Sequence, residues 1–132
     1  MRNLLVSVLL SVSLMTACKE EKKTNIVFCA ALDSLGNCLG KADKFPRETR
    51  VFVRFDSKEP FKGSKLTGVI FALEQEQKIF LGSREFNLKP GEKRVSYFIP
   101  FDRFKSSGVY QIEFMDENGQ VLDSSNVTIN YK

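Results

Sequence analysis

The chain has no histidine and no tryptophan. Without histidine it loses the commonest general base, the usual nucleophile–histidine pairings and most zinc sites. Nor does it hold a nucleophile elbow, a phosphate loop or a dinucleotide fingerprint, so nothing in it calls for a cofactor or a metal. No segment sustains helical spacing, which excludes a helical bundle. Long runs of one charge are missing too. Signs alternate in Lys19-Glu20-Glu21-Lys22-Lys23 and in Arg47-Glu48-Thr49-Arg50, and the formal balance is only +4. That describes a solvated mixed surface and excludes a nucleic-acid-binding stripe.

What is present begins with an address. Met1-Arg2-Asn3 is followed by an apolar run over residues 4–14 and then by Met15-Thr16-Ala17-Cys18. The run is too short to cross a bilayer, and the basic start with small residues before a cysteine reads as an export signal. The ending resembles the lipobox of bacterial lipoproteins, with Met15 where that pattern prefers leucine. The resemblance implies cleavage after residue 17, a diacylglyceryl group on Cys18 and a membrane anchor. Lys19 after the cysteine implies the outer membrane over the inner one, by the enteric sorting pattern. An ordinary secretory signal cut near Ala17 is the alternative. Residues 18–25 then form a charged tether, and a reach of about 20 to 25 Å keeps residues 26–132, one domain with one core, close to the membrane.

Three cysteines in an exported chain leave one unpaired. Lipidation of Cys18 resolves this, and Cys29 and Cys38 are then expected to form a disulfide across the turn-forming spacer Asp33-Ser34-Leu35-Gly36-Asn37. Redox or metal chemistry is the weaker reading of that pair, since the spacing is not Cys-x-x-Cys.

From Ile26 onward apolar residues recur with period two between Gly, Pro, Asn and Asp. Residues 50–56 alternate with Val51, Val53 and Phe55 on the core side. Residues 66–74 are nearly continuous in apolar side chains and predict a central strand, with Gly68 marking a bulge. Residues 77–82 and 84–88 form either one bent strand or two. Val95, Tyr97 and Ile99 face inward, as do Tyr110, Ile112 and Phe114, and Val127, Ile129 and Tyr131 lie in register. Asn118-Gly119 is a hairpin signal. Seven or eight strands without a helix predict an antiparallel sandwich or small barrel.

Ser107-Gly108-Val109-Tyr110-Gln111-Ile112 resembles the segment entering strand F of immunoglobulin-like domains, where Gly-x-Tyr places a tyrosine whose hydroxyl bonds back to upstream backbone. Gly108 and Tyr110 carry that tyrosine corner. The resemblance implies an all-β, Ig-like or fibronectin-type sandwich, and Ile112 where antibody domains have a core cysteine excludes the antibody type.

Two carboxylate pairs, Glu74 with Glu76 and Asp116 with Glu117, are the candidates for acid–base work, and they read better as loop charge. Twelve phenylalanines form the one excess. Most belong in the core. Phe45, Phe61, Phe101 and Phe104 lie beside Pro, Lys or Arg outside the strong strand patterns; with Arg103 the last three form a candidate partner-binding surface, the alternative being that they plug the ends of the sandwich. The expected function is a non-catalytic binding or accessory module of the bacterial envelope, held to the membrane by its lipid, with a protein or glycan partner. A small carboxylate-dependent hydrolase and an envelope-enzyme inhibitor are the alternatives.

Overall fold

The computed structural model describes residues 24–104 and 106–130, and the side chains of Thr24 and of the candidate Phe101 lie outside the described part. The export segment, Cys18, most of the tether and Tyr131 lie outside the described residues. The rest is built from nine strands: β1 Thr24–Leu32, β2 Cys38–Lys41, β3 Lys44–Pro46, β4 Val51–Ser57, β5 Lys65–Glu74, β6 Gln77–Asn87, β7 Arg94–Ile99, β8 Gly108–Asp116 and β9 Val121–Asn130. Among the described residues one 3₁₀ turn, Phe101–Arg103, follows β7. Two more strands form than the alternation suggested at its lower bound, because β2 and β3 are only four and three residues long and too short to show a period.

One sheet runs β2-β1-β4-β7 and the other β3-β9-β8-β5-β6. Pairing is antiparallel throughout except between β3 and β9, which run parallel with Phe45 opposite Ile129. The alternation of β4 sends Val51, Val53 and Phe55 into the space between the sheets with no measurable exposure. Ile112 and Phe114 of β8 meet them from the other sheet. The rings of Phe55 and Phe114 stack at 4.3 Å with planes 12° apart, at the centre of the core. Fully burying one such side chain contributes about 1.5 to 3 kcal/mol.

β6 is one strand, not two. It pairs with β5 along its length, and the register shifts so that Ile70 faces Gly82 while Phe71 faces Phe80. Leu81 is therefore the extra residue of a bulge. The bulge falls on β6 and not at Gly68, where the sequence placed it. Gly68 serves a different purpose: a Cβ there would lie 3.0 Å from the Phe114 ring and 3.2 Å from the Tyr97 hydroxyl. It is the clearance that lets the core of one sheet meet a polar group of the other.

Cys29 and Cys38 form a disulfide with Cα atoms 5.5 Å apart, joining β1 to β2 within one sheet. The turn between them is organised by Asp33, whose carboxylate accepts from the backbone N–H of Leu35 at 2.9 Å and of Asn37 at 2.8 Å. These bonds hold the Asp33 carboxyl below the usual carboxylate range, that from the Asn37 backbone most of all.

Candidate functional site

Acid–base chemistry needs carboxylates aimed together into a cleft. The described carboxylates are placed otherwise. Asp116 accepts from the N–H of Asn118 and Gln120 and so closes the β8–β9 turn. Glu117 holds the backbone N–H of Ser64 at 3.1 Å and its hydroxyl at 3.2 Å. Glu74 ends β5, and Glu76 sits exposed at the tip of the β5–β6 turn. Glu113 is the one buried acidic side chain among the described residues, and Lys78 Nζ meets it at 2.7 Å on the outer face of its sheet. Among the described residues no three Cys, Asp or Glu side chains gather closely enough to hold a metal ion.

The aromatic loop residues separate. Phe104 is buried, its ring edge-on to Tyr110 at 4.9 Å. Phe45 is buried under β9. Phe61 is half-buried, tilted against Phe55 at 5.4 Å. These rings turn into the core because the small domain has little other bulk to close its ends. Arg103, by contrast, is exposed. Tyr110 donates its hydroxyl proton to the carbonyl of Ser106 at 2.6 Å, just upstream of Gly108, and accepts from the Ser106 N–H at 3.3 Å.

Arg103 leads to the feature that pattern alone did not disclose. β7 ends one sheet and β6 ends the other, and between these two edges the sandwich stands open as a cleft of about 240 Å³ lined by Gly68, Gly82, Arg84, Tyr97, Phe98 and Arg103 among others. Ligand pockets for drug-sized molecules run about 300 to 1,000 Å³, so this one suits a single functional group or a small ring. A more open depression of about 450 Å³ is walled by the Asp56–Arg94 ion pair, 2.6 Å long, and another of about 400 Å³ lies beside Phe45 and Asn130.

Each wall has a sequence cause. Arg84 faces Gly68 across the β5–β6 ladder and so lies on the inward side of an edge strand. Its guanidinium sits 5.3 Å from the centroid of Phe86 and 5.8 Å from that of Tyr97, within cation–π range. Such inward charges also discourage an edge strand from pairing with another chain. The bulge at Leu81 frees a carbonyl that Arg103 takes in a long hydrogen bond, 3.5 Å. Gly82 makes room, since a Cβ there would meet the Arg103 guanidinium at 3.3 Å. Phe98, next to Tyr97 on β7, turns to the outer face of its sheet, 41% exposed, against Phe52 at 5.8 Å and with Arg50 4.8 Å above its ring.

Charge balance distinguishes this end of the molecule. Arg47 has Glu48, and Arg54 and Arg94 share Asp56. Arg50, Arg84 and Arg103 have no carboxylate partner among the described residues. The Tyr97 hydroxyl likewise has no hydrogen-bond partner there. Burial pushes the Tyr97 phenol well above its ordinary value, against the opposing pull of Arg84, so it stays protonated and able to donate.

No family model matches the chain. No curated protein matches it either. Among solved structures, it is similar to the soluble domain of PmoD from a Methylocystis species, at 15% identity and a TM-score of 0.53, covering 86% of this chain and 95% of that one. A Niemann-Pick type C2 protein from the Japanese carpenter ant aligns at 16% identity and a TM-score of 0.47, over 87% and 96% of the two chains. A superoxide reductase (neelaredoxin) from Ignicoccus hospitalis aligns at 14% identity and 0.44, over 69% and 76%. The likeness to the PmoD domain shows a shared β-sandwich fold.

Proposed function

We propose that the chain is a non-catalytic binding module of a bacterial envelope, lipid-anchored through Cys18 on the outer membrane, that receives a protein or glycan partner at the β6–β7 cleft. The observation that carries this reading is the gathering of uncommitted binding groups at one open edge: arginines without a carboxylate partner and a donor hydroxyl without a partner. The carboxylates that a hydrolase would need are bound up in turns or in an ion pair away from that edge. An inhibitor of an envelope enzyme is one form that such a module takes.

The finer fold reading is an immunoglobulin-like sandwich. In its support, β9-β8-β5-β6 follow the order of strands G, F, C and C′, while β1, β4 and β7 follow A, B and E. The Tyr110–Ser106 hydrogen bond has the form of a tyrosine corner. Among the described residues no strand takes the place of D beside β7, and that vacancy leaves the cleft uncovered.

The test is crosslinking of the full chain in its native envelope, comparing wild type with Gly82→Trp, which fills the cleft from the inward side of β6, and with Cys18→Ser. Wild type should carry palmitate and give a discrete adduct; G82W should lose the adduct at equal abundance; C18S should lose the label and leave the membrane fraction. An adduct undiminished in G82W contradicts the cleft, unchanged labelling of C18S contradicts the anchor, and cleavage of envelope polymer by the purified chain contradicts the non-catalytic reading.

A further inference from the structure

The recognition chemistry of the cleft can be taken one step further, on the reading that it is a binding site. Arg84 and Arg103 are held without being neutralised. Arg84 rests on two rings, and Arg103 on a neutral carbonyl that the Leu81 bulge leaves free. Guanidinium groups on a surface usually find a carboxylate or extend into water. Here both are positioned around the same cleft with their charge uncompensated, so the conformational cost of ordering long side chains is already met before a ligand arrives. Between them opens a phenol that has no acceptor among the described residues. Gly68 and Gly82 keep the space clear, since a side chain at either position would crowd the Tyr97 hydroxyl or the Arg103 guanidinium.

Each of these three side chains offers the cleft a hydrogen-bond donor, and none carries a negative charge. Planar guanidinium forks match the paired oxygens of a carboxylate, phosphate or sulfate, and bonds of this kind are the strong ones. The volume limits the guest to one such group with a small carrier. We infer that the cleft binds a single oxyanion (a carboxylate, phosphate or sulfate group) displayed by the partner, held by Arg84, Arg103 and the Tyr97 hydroxyl.

The experiment is an NMR titration of the full chain in detergent with acetate, inorganic phosphate and inorganic sulfate separately, at constant ionic strength in chloride. The side-chain N–H resonances of Arg84 and Arg103 should shift saturably with at least one anion, while those of Arg94, already tied to Asp56, stay still. The ranking of the three anions identifies which oxyanion is preferred. Arg84→Gln and Arg103→Gln should each weaken binding by about tenfold or more, the loss of one charge-assisted hydrogen bond. Tyr97→Phe, which keeps the ring packing, should weaken it by less. Shifts that never saturate, that spread equally to Arg94, or that survive in the double arginine variant overturn the inference. A chain that ignores all three anions yet loses its envelope adduct in G82W would refute the oxyanion and leave the binding cleft intact.

Discussion

Tyr97 shows how one residue can belong to the core and to the site at once. Its ring meets Phe86 at 5.3 Å and Phe114 at 6.2 Å, both edge-on, while its hydroxyl reaches the cleft. The folded-state phenol ionises above its ordinary value of 10.0, so its contribution to stability is whole below that pH and is lost as pH climbs toward the folded value. Ultraviolet difference titration of wild type against Tyr97→Phe should show one phenol ionising later than a free tyrosine, and Arg84→Gln should delay it further by removing the charge that favours phenolate. Ionisation near the ordinary value would mean that the ring is not packed as described. Gly68 makes a second residue-scale case. Replacing glycine with alanine gains about 0.4 to 1 kcal/mol through the unfolded chain, but the new Cβ would press on a Phe114 ring that is already stacked on Phe55. Overpacking of about 1 to 3 kcal/mol outweighs that gain, and the urea midpoint of Gly68→Ala should fall. Gly68 was visible in the sequence as an oddity in an apolar strand. Its purpose was not, since the groups it accommodates come from β7 and β8, distant in the chain.

At the scale of elements, the alternating patterns carried most of the fold. β4, β7 and β8 each bury the residues that period two assigns inward, although Tyr97 only in part. The cysteine count and the turn chemistry between Cys29 and Cys38 carried the disulfide. Closing that loop should remove denatured-state entropy worth about 2.5 to 3 kcal/mol, so the double variant Cys29→Ser, Cys38→Ser should lose about that much in chemical denaturation. An unchanged midpoint would place the β1–β2 hairpin outside the cooperative unit. What alternation could not convey is the β5–β6 connection. Gln75 and Glu76 both take positive φ, 51° and 66°, in a two-residue turn that normally employs Asn-Gly. Left-handed backbone costs an ordinary residue about 1 to 2 kcal/mol. Glu76→Gly should therefore stabilise the domain by about 1 kcal/mol, read as a higher melting temperature, and a loss instead would show that the Glu76 side chain contributes more than its backbone costs. The bulge at Leu81 escaped the sequence for a related reason: an inserted residue in one strand is defined only by its partner, and β6 alone offers two plausible phases.

Across the whole molecule, the site arises from topology and not from a motif. Two sheets of unequal strand number close on one side, where β1 meets β9, and leave β6 and β7 as uncapped neighbours on the other. Arg103 was legible as a candidate from its loop, but Arg84 was hidden in an alternating strand, where a charge on the inward side is the only signal. Alternation assigns Tyr97 to the core, whereas it lies at the boundary. Phe61 and Phe104 have the sequence setting of recognition residues, yet they pack against the core, because local sequence cannot tell an aromatic plug from an aromatic anchor. The central claim is that the β6–β7 cleft, and no other face, receives the partner. Site-specific photo-crosslinking in the native envelope tests it most directly, with the probe placed at Pro100, which is exposed and lines the cleft, or at Ser124, which faces outward on β9 opposite Glu113. The account predicts a discrete adduct from Pro100 that disappears with Arg84→Gln and Arg103→Gln combined, and none from Ser124. An adduct from Ser124 alone, or one from Pro100 indifferent to both arginines, would contradict it.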